Sequence, residues 1–225
     1  MIRNTPLAAG ETYHIYNRGA HKHKVFTNDR DYRRFLLLCF LMNDATPIDM
    51  RRILKKYKGR SFVAVFKEEK PSKSLVDILA YSLMPNHFHM VVRQKTENGI
   101  TKFFKKVLTG YSMYFNTKYE HSGVLFQGRF KSRHIDNEAY FRYIFSYVHL
   151  NPLSLIEPGW EDVGVKDKDG VREFMNKYSY SSYQDYSHSK RPESSILSDS
   201  DIPEFLTSQN DLEYLLYSLT KDRPL

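Results

Sequence analysis

The chain of 225 residues contains a single cysteine, Cys39. No disulfide framework can form within it, which fits a reducing compartment. Long apolar runs are also missing. The run Phe35-Leu36-Leu37-Leu38-Cys39-Phe40-Leu41-Met42 spans eight residues, against the roughly 20 needed to cross a bilayer. Cys39 lies inside that run and is expected to be core. The first residues, Met1-Ile2-Arg3-Asn4-Thr5-Pro6, show no apolar signal-peptide core. The expected location is the cytoplasm. There is no internal repeat, and tryptophan occurs once, as Trp160.

What is abundant is positive charge and aromatic surface. The net charge is +8, hydrophobic residues make up 41% and aromatics 15%. A packed, basic, Tyr- and Phe-rich chain suits a polyanion whose bases can be stacked upon, hence nucleic acid. A merely soluble basic protein is the plainer alternative. The length suits one sizeable domain with appendages.

Residues 10–19 read as a strand ending at Gly19. His21-Lys22-His23-Lys24 follows, either a phosphate-facing loop or a solvated charge run. Asn28, Asp29 and Asp31 open a helix. Its apolar stripe is Tyr32, Phe35, Leu36, Cys39 and Phe40. Residues 51–60 hold six cations in ten positions, a candidate backbone-binding face carrying Arg51, Arg52, Lys55 and Lys56. Residues 61–66 read as a strand. A second long helix runs from Thr101 to Glu120, its buried face Ile100, Phe103, Phe104, Val107, Leu108, Tyr111 and Phe115. Lys105 and Lys106 lie off that face, and Gly123 reads as its C-cap. Residues 128–135 alternate as a strand or arm whose basic edge is Arg129, Lys131 and Arg133.

A third helix, capped by Asp136 or Asn137, runs to about Leu150 and stops at Pro152. Residues 157–169 read as irregular, 178–186 as a Tyr/Ser run, and 187–200 as a Ser-rich linker. Leu212, Leu215, Leu216 and Leu219 mark a short C-terminal amphipathic helix.

The most telling stretch runs from Leu79 to Val92 and reads as one strand. Alternate side chains of a strand share a face, so His87 and His89 stand together while Phe88, Met90 and Val92 point away. Two imidazoles on an otherwise apolar strand must be wet, hydrogen-bonded or bound to something. Either a divalent metal or a solvated face accounts for them. The element order is strand, helix, strand, strand, helix, strand, then an extra helix. This predicts an α+β, ferredoxin-like (split βαβ) antiparallel sheet with helices on one face. The extra helix can reach the face of His87 and His89.

A metal beside basic segments suggests phosphate chemistry. Hydrolases gather carboxylates around their metals, yet the histidine strand carries none. Tyr147 and Asn151 are spaced to share a helix face if the third helix persists that far. Tyr140 and Tyr143 continue the stripe, although tyrosines at helical spacing are mostly core.

Met84-Pro85-Asn86-His87-Phe88-His89-Met90-Val91-Val92, followed downstream by Tyr147-Val148-His149-Leu150-Asn151-Pro152, resembles the single-tyrosine HUH transposases of the insertion-sequence type. The likeness is nearest to their REP-associated branch. Tyr13 to Gly19, Asp31 to Phe35 and Leu125 to Ser132 are similar too, in the same order. The resemblance covers residues 10 to about 185. It implies a metal-dependent endonuclease and strand transferase acting on single-stranded DNA beside hairpins through a 5′-phosphotyrosine bond.

Carried over, the nucleophile is Tyr147 and the metal ligands are His87, His89 and Asn151. Tyr143 and Tyr140 are the fallback nucleophiles; Tyr111 and Tyr114 on the second helix come after them. The resemblance implies Mg²⁺ or Mn²⁺ and a monomer or homodimer associated with the nucleoid. Asn86 stands where some relatives have an acid. His149 reads either as a DNA or supporting contact or as a group that satisfies the helix end. The implied division is a catalytic domain over 1–152, a family-like extension over 153–186, and a linker with a short helix over 187–225. A catalytically silent nucleic-acid-binding regulator on the same fold is the alternative. A phosphohydrolase using water is a third reading.

Overall fold

The structure is a computed structural model that describes residues 6–187, 191–198 and 212–221. Residues 1–5, on which most of the N-terminal expectation rests, and part of the expected linker lie outside the described residues.

Four strands form one antiparallel sheet in the order β2-β3-β1-β4. They are β1 (Thr12–Arg18), β2 (Val76–Met84), β3 (His87–Gln94) and β4 (Lys131–Ile135). Between them run α1 (Asp29–Met42), α2 (Met50–Lys56), α3 (Phe62–Glu68) and α4 (Gly99–Tyr119), and after β4 comes α5 (Glu138–Leu150). This is the split βαβ order, α+β as expected from the sequence.

Two strand assignments from the sequence are corrected. Residues 61–66 are not a strand but the start of α3. The Ser61 hydroxyl accepts the Val63 N–H as an N-cap. Phe62 and Phe66, one turn apart, then meet edge-to-face at 4.9 Å, with Phe66 against Phe40 at 4.9 Å. Aromatic packing at helical spacing outweighs the strand preference of Val63 and Val65. The stretch from Leu79 to Val92 is not one strand but a hairpin. Pro85 and Asn86 form its turn, and Met84 pairs with His87 across it. The two corrections cancel in the element order, so the topology is the expected one.

The sheet separates two packed layers. On one side α1 and α4 cover Tyr13, Ile15, Ile78, Tyr81, Leu83, Phe88, Met90 and Val92. Cys39 is buried there, as expected. On the other side α5 covers Leu79, Ala80 and Val91 through Ile144, Phe145 and Val148. A bulge at Leu79 puts it and Ala80 into this second layer together. The N-cap of α5 is Asn137, whose side chain accepts the Tyr140 N–H.

Beyond α5 there is more helix than the sequence suggested. Residues read as irregular contain α6 (Trp160–Val163), and α7 (Lys168–Lys177) begins before their end. Trp160, Val171 and Met175 are buried there. At the end of α4 the cap is Glu120 in the left-handed region, not Gly123. After α7 the chain lies along the free edge of β2. The Leu83 N–H donates to the Tyr180 carbonyl at 2.9 Å, and the Ser182 N–H to that of Tyr81 at 2.9 Å. This covers an edge that would otherwise be open to pairing. Next come α8 (Tyr183–Ser187) and a 3₁₀ turn over Pro192–Ile196. The last described helix, α9 (Leu212–Lys221), packs on α5 through Leu212 and Leu215. No helix among the described residues is long and apolar enough to cross a membrane.

Candidate active site

The period of β3 does what its sequence requires. Phe88, Met90 and Val92 enter the α1/α4 layer, while His87 and His89 face α5. The α5 side carries the candidate chemistry. Tyr147 meets His89 edge-to-face with ring centroids 5.4 Å apart. Asn151 Oδ1 lies 3.1 Å from His87 Nε2. Asn151 keeps right-handed helical angles after α5 ends, and its N–H donates to the Tyr147 carbonyl. The chain continues as a 3₁₀ turn over Asn151–Leu155, so Pro152 falls just past the residue that matters. That extra turn puts Asn151 beneath Tyr147.

Each histidine is oriented by a neighbour. Asn86 Oδ1 lies 2.6 Å from His87 Nδ1. If Nδ1–H donates to that oxygen, Nε2 presents a lone pair toward Asn151 Oδ1. Two such lone-pair atoms at 3.1 Å fit one another only if the amide turns its NH₂ inward or a cation lies against both. His89 Nδ1 lies 2.8 Å from His14 Nε2, with the two rings stacked at 5.0 Å. A His14 that accepts from His89 Nδ1–H leaves His89 Nε2 as its lone-pair atom. This is how metal-binding imidazoles are held in one tautomer.

Burial keeps these rings neutral. His14 and His87 are both lowered to about 4, chiefly by desolvation. Arg133 adds to this at His14 and Arg18 at His87, while the Asn151 contact opposes it at His87. His89 is held well below the ordinary range by burial, then by its two histidine neighbours. Neutral imidazole is the metal-ligating form. Among the described residues no cluster of three or more His, Cys, Asp or Glu could hold a metal. The third donor available is therefore the amide of Asn151. Two imidazoles and an amide oxygen, with two imidazole lone pairs free, fit Mn²⁺ well and Mg²⁺ less comfortably.

The Tyr147 phenol is half-buried and raised to about 12, by burial first and then by the charge of Glu161. It is the end of a ladder in which Tyr140 stacks on Tyr143 at 6.4 Å and Tyr143 on Tyr147 at 6.3 Å. Tyr143 and Tyr147 also line a cleft of about 570 Å³ shared with Trp160, Glu161 and Leu216. Tyr111 is in the opposite layer, its hydroxyl donating to the Val25 carbonyl at 2.5 Å. Tyr114 donates to Asp31 at 2.9 Å in that same layer. His149 is fully buried and packs 2.7 Å from the Ser182 hydroxyl. It ties the extension to α5 and is not at the site.

The expected cations divide by face. Lys131 and Arg133 stand opposite Tyr16 and His14 on β4, the edge strand, and so share the histidine face. Lys131 lies over the Tyr16 ring at 5.9 Å and Arg133 over Tyr140 at 4.6 Å. Arg129 is exposed just before β4. Arg51, Arg52, Lys55 and Lys56 are on α2, which docks by Ile53 into the other layer. Lys56 pairs there with Glu69 at 2.7 Å. Lys105 is exposed on α4, and Lys106 donates to the Asp44 carbonyl at 2.6 Å. Sequence reasoning passed over His14, Tyr16 and Arg18. The signal was present: His14 and Tyr16 alternate with the core residues Tyr13 and Ile15 just as His87 and His89 alternate with Phe88.

Residues 45–151 match the family described as "Transposase IS200 like". That stretch includes both histidines of β3, Tyr147 and Asn151, and the resemblance to insertion-sequence transposases stands on it. No curated protein matches the chain. A solved structure of a REP-associated tyrosine transposase bound to a REP hairpin is similar over 91% of this chain and 94% of that one. The two share 14% identity, with a TM-score of 0.49.

Proposed function

We propose that this protein cuts and rejoins single-stranded DNA beside hairpins, with Tyr147 as nucleophile. One observation carries the reading: within a single chain, Tyr147 and Asn151 of α5 lie against His87 and His89 of β3. The phenol oxygen of Tyr147 bonds to phosphorus and the P–O3′ bond breaks. The phenol gives up its proton as it attacks, the strand's 3′-oxygen leaves and takes up one proton in return through solvent, and the 5′-phosphate stays on the tyrosine. A later 3′-hydroxyl reverses the step, so the phosphodiester is conserved without another energy source.

His87, His89 and Asn151 would hold a Mg²⁺ or Mn²⁺ ion, which supplies charge stabilisation at the scissile phosphate. Burial keeps the two imidazoles neutral, and Asn86 and His14 aim them. Packing against His89 fixes the Tyr147 ring. Lys131 and Arg133 on the same face contact the DNA backbone, and the half-buried Tyr16 ring offers a stacking surface. Because nucleophile and histidines come from one chain, a monomer suffices. Such an enzyme works in the cytoplasm at the nucleoid.

The test is incubation of a hairpin with single-stranded flanks, with Mn²⁺ or Mg²⁺, followed by denaturing electrophoresis and mass spectrometry. A phosphotyrosyl peptide containing Tyr147 is expected. Binding without cleavage would instead favour a silent regulator. Cleavage that survives loss of Tyr147, Tyr143 and Tyr140 would point to hydrolysis by water.

A further inference from the structure

The loop that follows β1 builds a second cleft, this one basic, on the strand that pairs with His87. It is about 530 Å³ and is lined by Arg18, His21, Lys22, Val124, Gln127 and Gly128, among others. No carboxylate lines it. Neither Arg18 nor Lys22 has an ion-pair partner among the described residues, and both side chains are exposed. Its walls are stitched together by backbone hydrogen bonds. The Ala20 N–H donates to Leu125 at 2.9 Å and the Gln127 N–H to Arg18 at 2.7 Å. The Asn17 amide holds the Gly128 carbonyl at 3.2 Å.

Two non-glycine residues, His21 and Lys22, sit in the left-handed region with φ of 51° and 62°. Such conformations persist only where surroundings impose them, and they collect at ligand sites. Here the fixing group is Asn86. Its Nδ2 donates to the Lys22 carbonyl at 3.2 Å while its Oδ1 lies 2.6 Å from His87 Nδ1. One amide thus joins the cleft wall to the candidate site. Arg18 stands opposite His87 in the strand register.

Resting on the reading above, we infer that this cleft binds the nucleotide next to the scissile phosphate in the single-stranded flank. Arg18 and Lys22 take its phosphate. The exposed Val124, 78% accessible, and the Phe126 floor give the base an apolar surface, and the Gln127 amide can reach its edge. A cleft with paired cations, an apolar shelf and one amide suits a nucleotide better than a bare anion.

The experiment uses the full chain and labelled hairpin oligonucleotides carrying one neutral methylphosphonate, moved linkage by linkage through flank and stem. Affinity is read by anisotropy without divalent metal. Wild type is expected to lose about tenfold at one flank linkage adjacent to the cut. Lys22→Ala should bind the all-phosphate strand about tenfold more weakly and lose nothing further at that linkage. Its slope of log affinity against log salt should be shallower by about 0.7. Lys22→Arg should restore both. Val124→Glu, at a position too exposed to threaten folding, should behave like Lys22→Ala. Sensitivity that stays at the same linkages in the variants, or that moves from stem linkages, overturns the assignment. If wild type still forms the tyrosyl adduct in those cases, only the cleft's role falls. If no strand binds, the cleft and the transposase-like reading fall together.

Discussion

The two faces of one strand behave as different materials. From Phe88 to Val92 every second side chain of β3 enters a layer of aromatic and aliphatic groups under α1 and α4. The residues between them face α5, where three histidines, two amides and a tyrosine sit in contact. The first face gains by excluding water, and its residues can be exchanged for others of similar volume. The second buries polar groups, and His14, His87, His89 and Asn151 each find a partner there, while the buried Ser82 and Tyr140 hydroxyls have none. Stability should therefore be lost most easily on one face and chemistry on the other.

The sharpest break in that comparison is Tyr147→Phe. It should abolish the covalent adduct, at least about a 10³-fold loss, while denaturant midpoints stay close to wild type. An adduct that persists removes Tyr147 from its role. On the opposite face, Phe88→Ala should cost about 3–5 kcal/mol in urea unfolding, since the ring is fully buried against Phe35 and Phe104. A smaller loss of stability than at His89 would invert the picture.

Acid sharpens the contrast. Burial lowers His149 to about 3 and His14 to about 4. Their stabilising contribution is complete above the unfolded value near 6.5 and declines as pH falls toward those values. Each should cost about 1.4 kcal/mol per pH unit in that window. Urea unfolding at pH 7 and pH 5 measures this, and His149→Gln should flatten the dependence. His14→Ala should weaken Mn²⁺ binding and slow cleavage about 10–100-fold, as expected when a group that only orients a ligand is removed. The smallest effects separate the cations. Lys105→Ala, on α4, should change hairpin affinity less than about twofold, whereas Arg133→Ala should cost about tenfold. Equal losses would mean that DNA wraps both layers.

The histidine pair and the tyrosine ladder were legible because each follows from periodicity in a few adjacent residues, and the start of α5 because Asn137 is a capping residue. The hairpin at Pro85-Asn86 was missed because apolar alternation runs straight through it. Helix α3 was missed because β-branched residues and a short apolar run look alike in strand and helix. His14 was overlooked although its pattern was visible. Nothing local to β1 says that His89 lies beside it, since that neighbour comes from a pairing 75 positions away.

The sequence by itself determined which side chains share a face. Backbone geometry fixes alternation along a strand and one-turn spacing along a helix. It set His87 beside His89 and Tyr147 beside Asn151. Only the tertiary structure decided that these two pairs meet, that His14 and Asn86 complete them, and that α2 and α4 turn their cations away. Strand register and the choice of sheet face depend on burying apolar surfaces brought together from distant parts of the chain, and no local pattern carries that information.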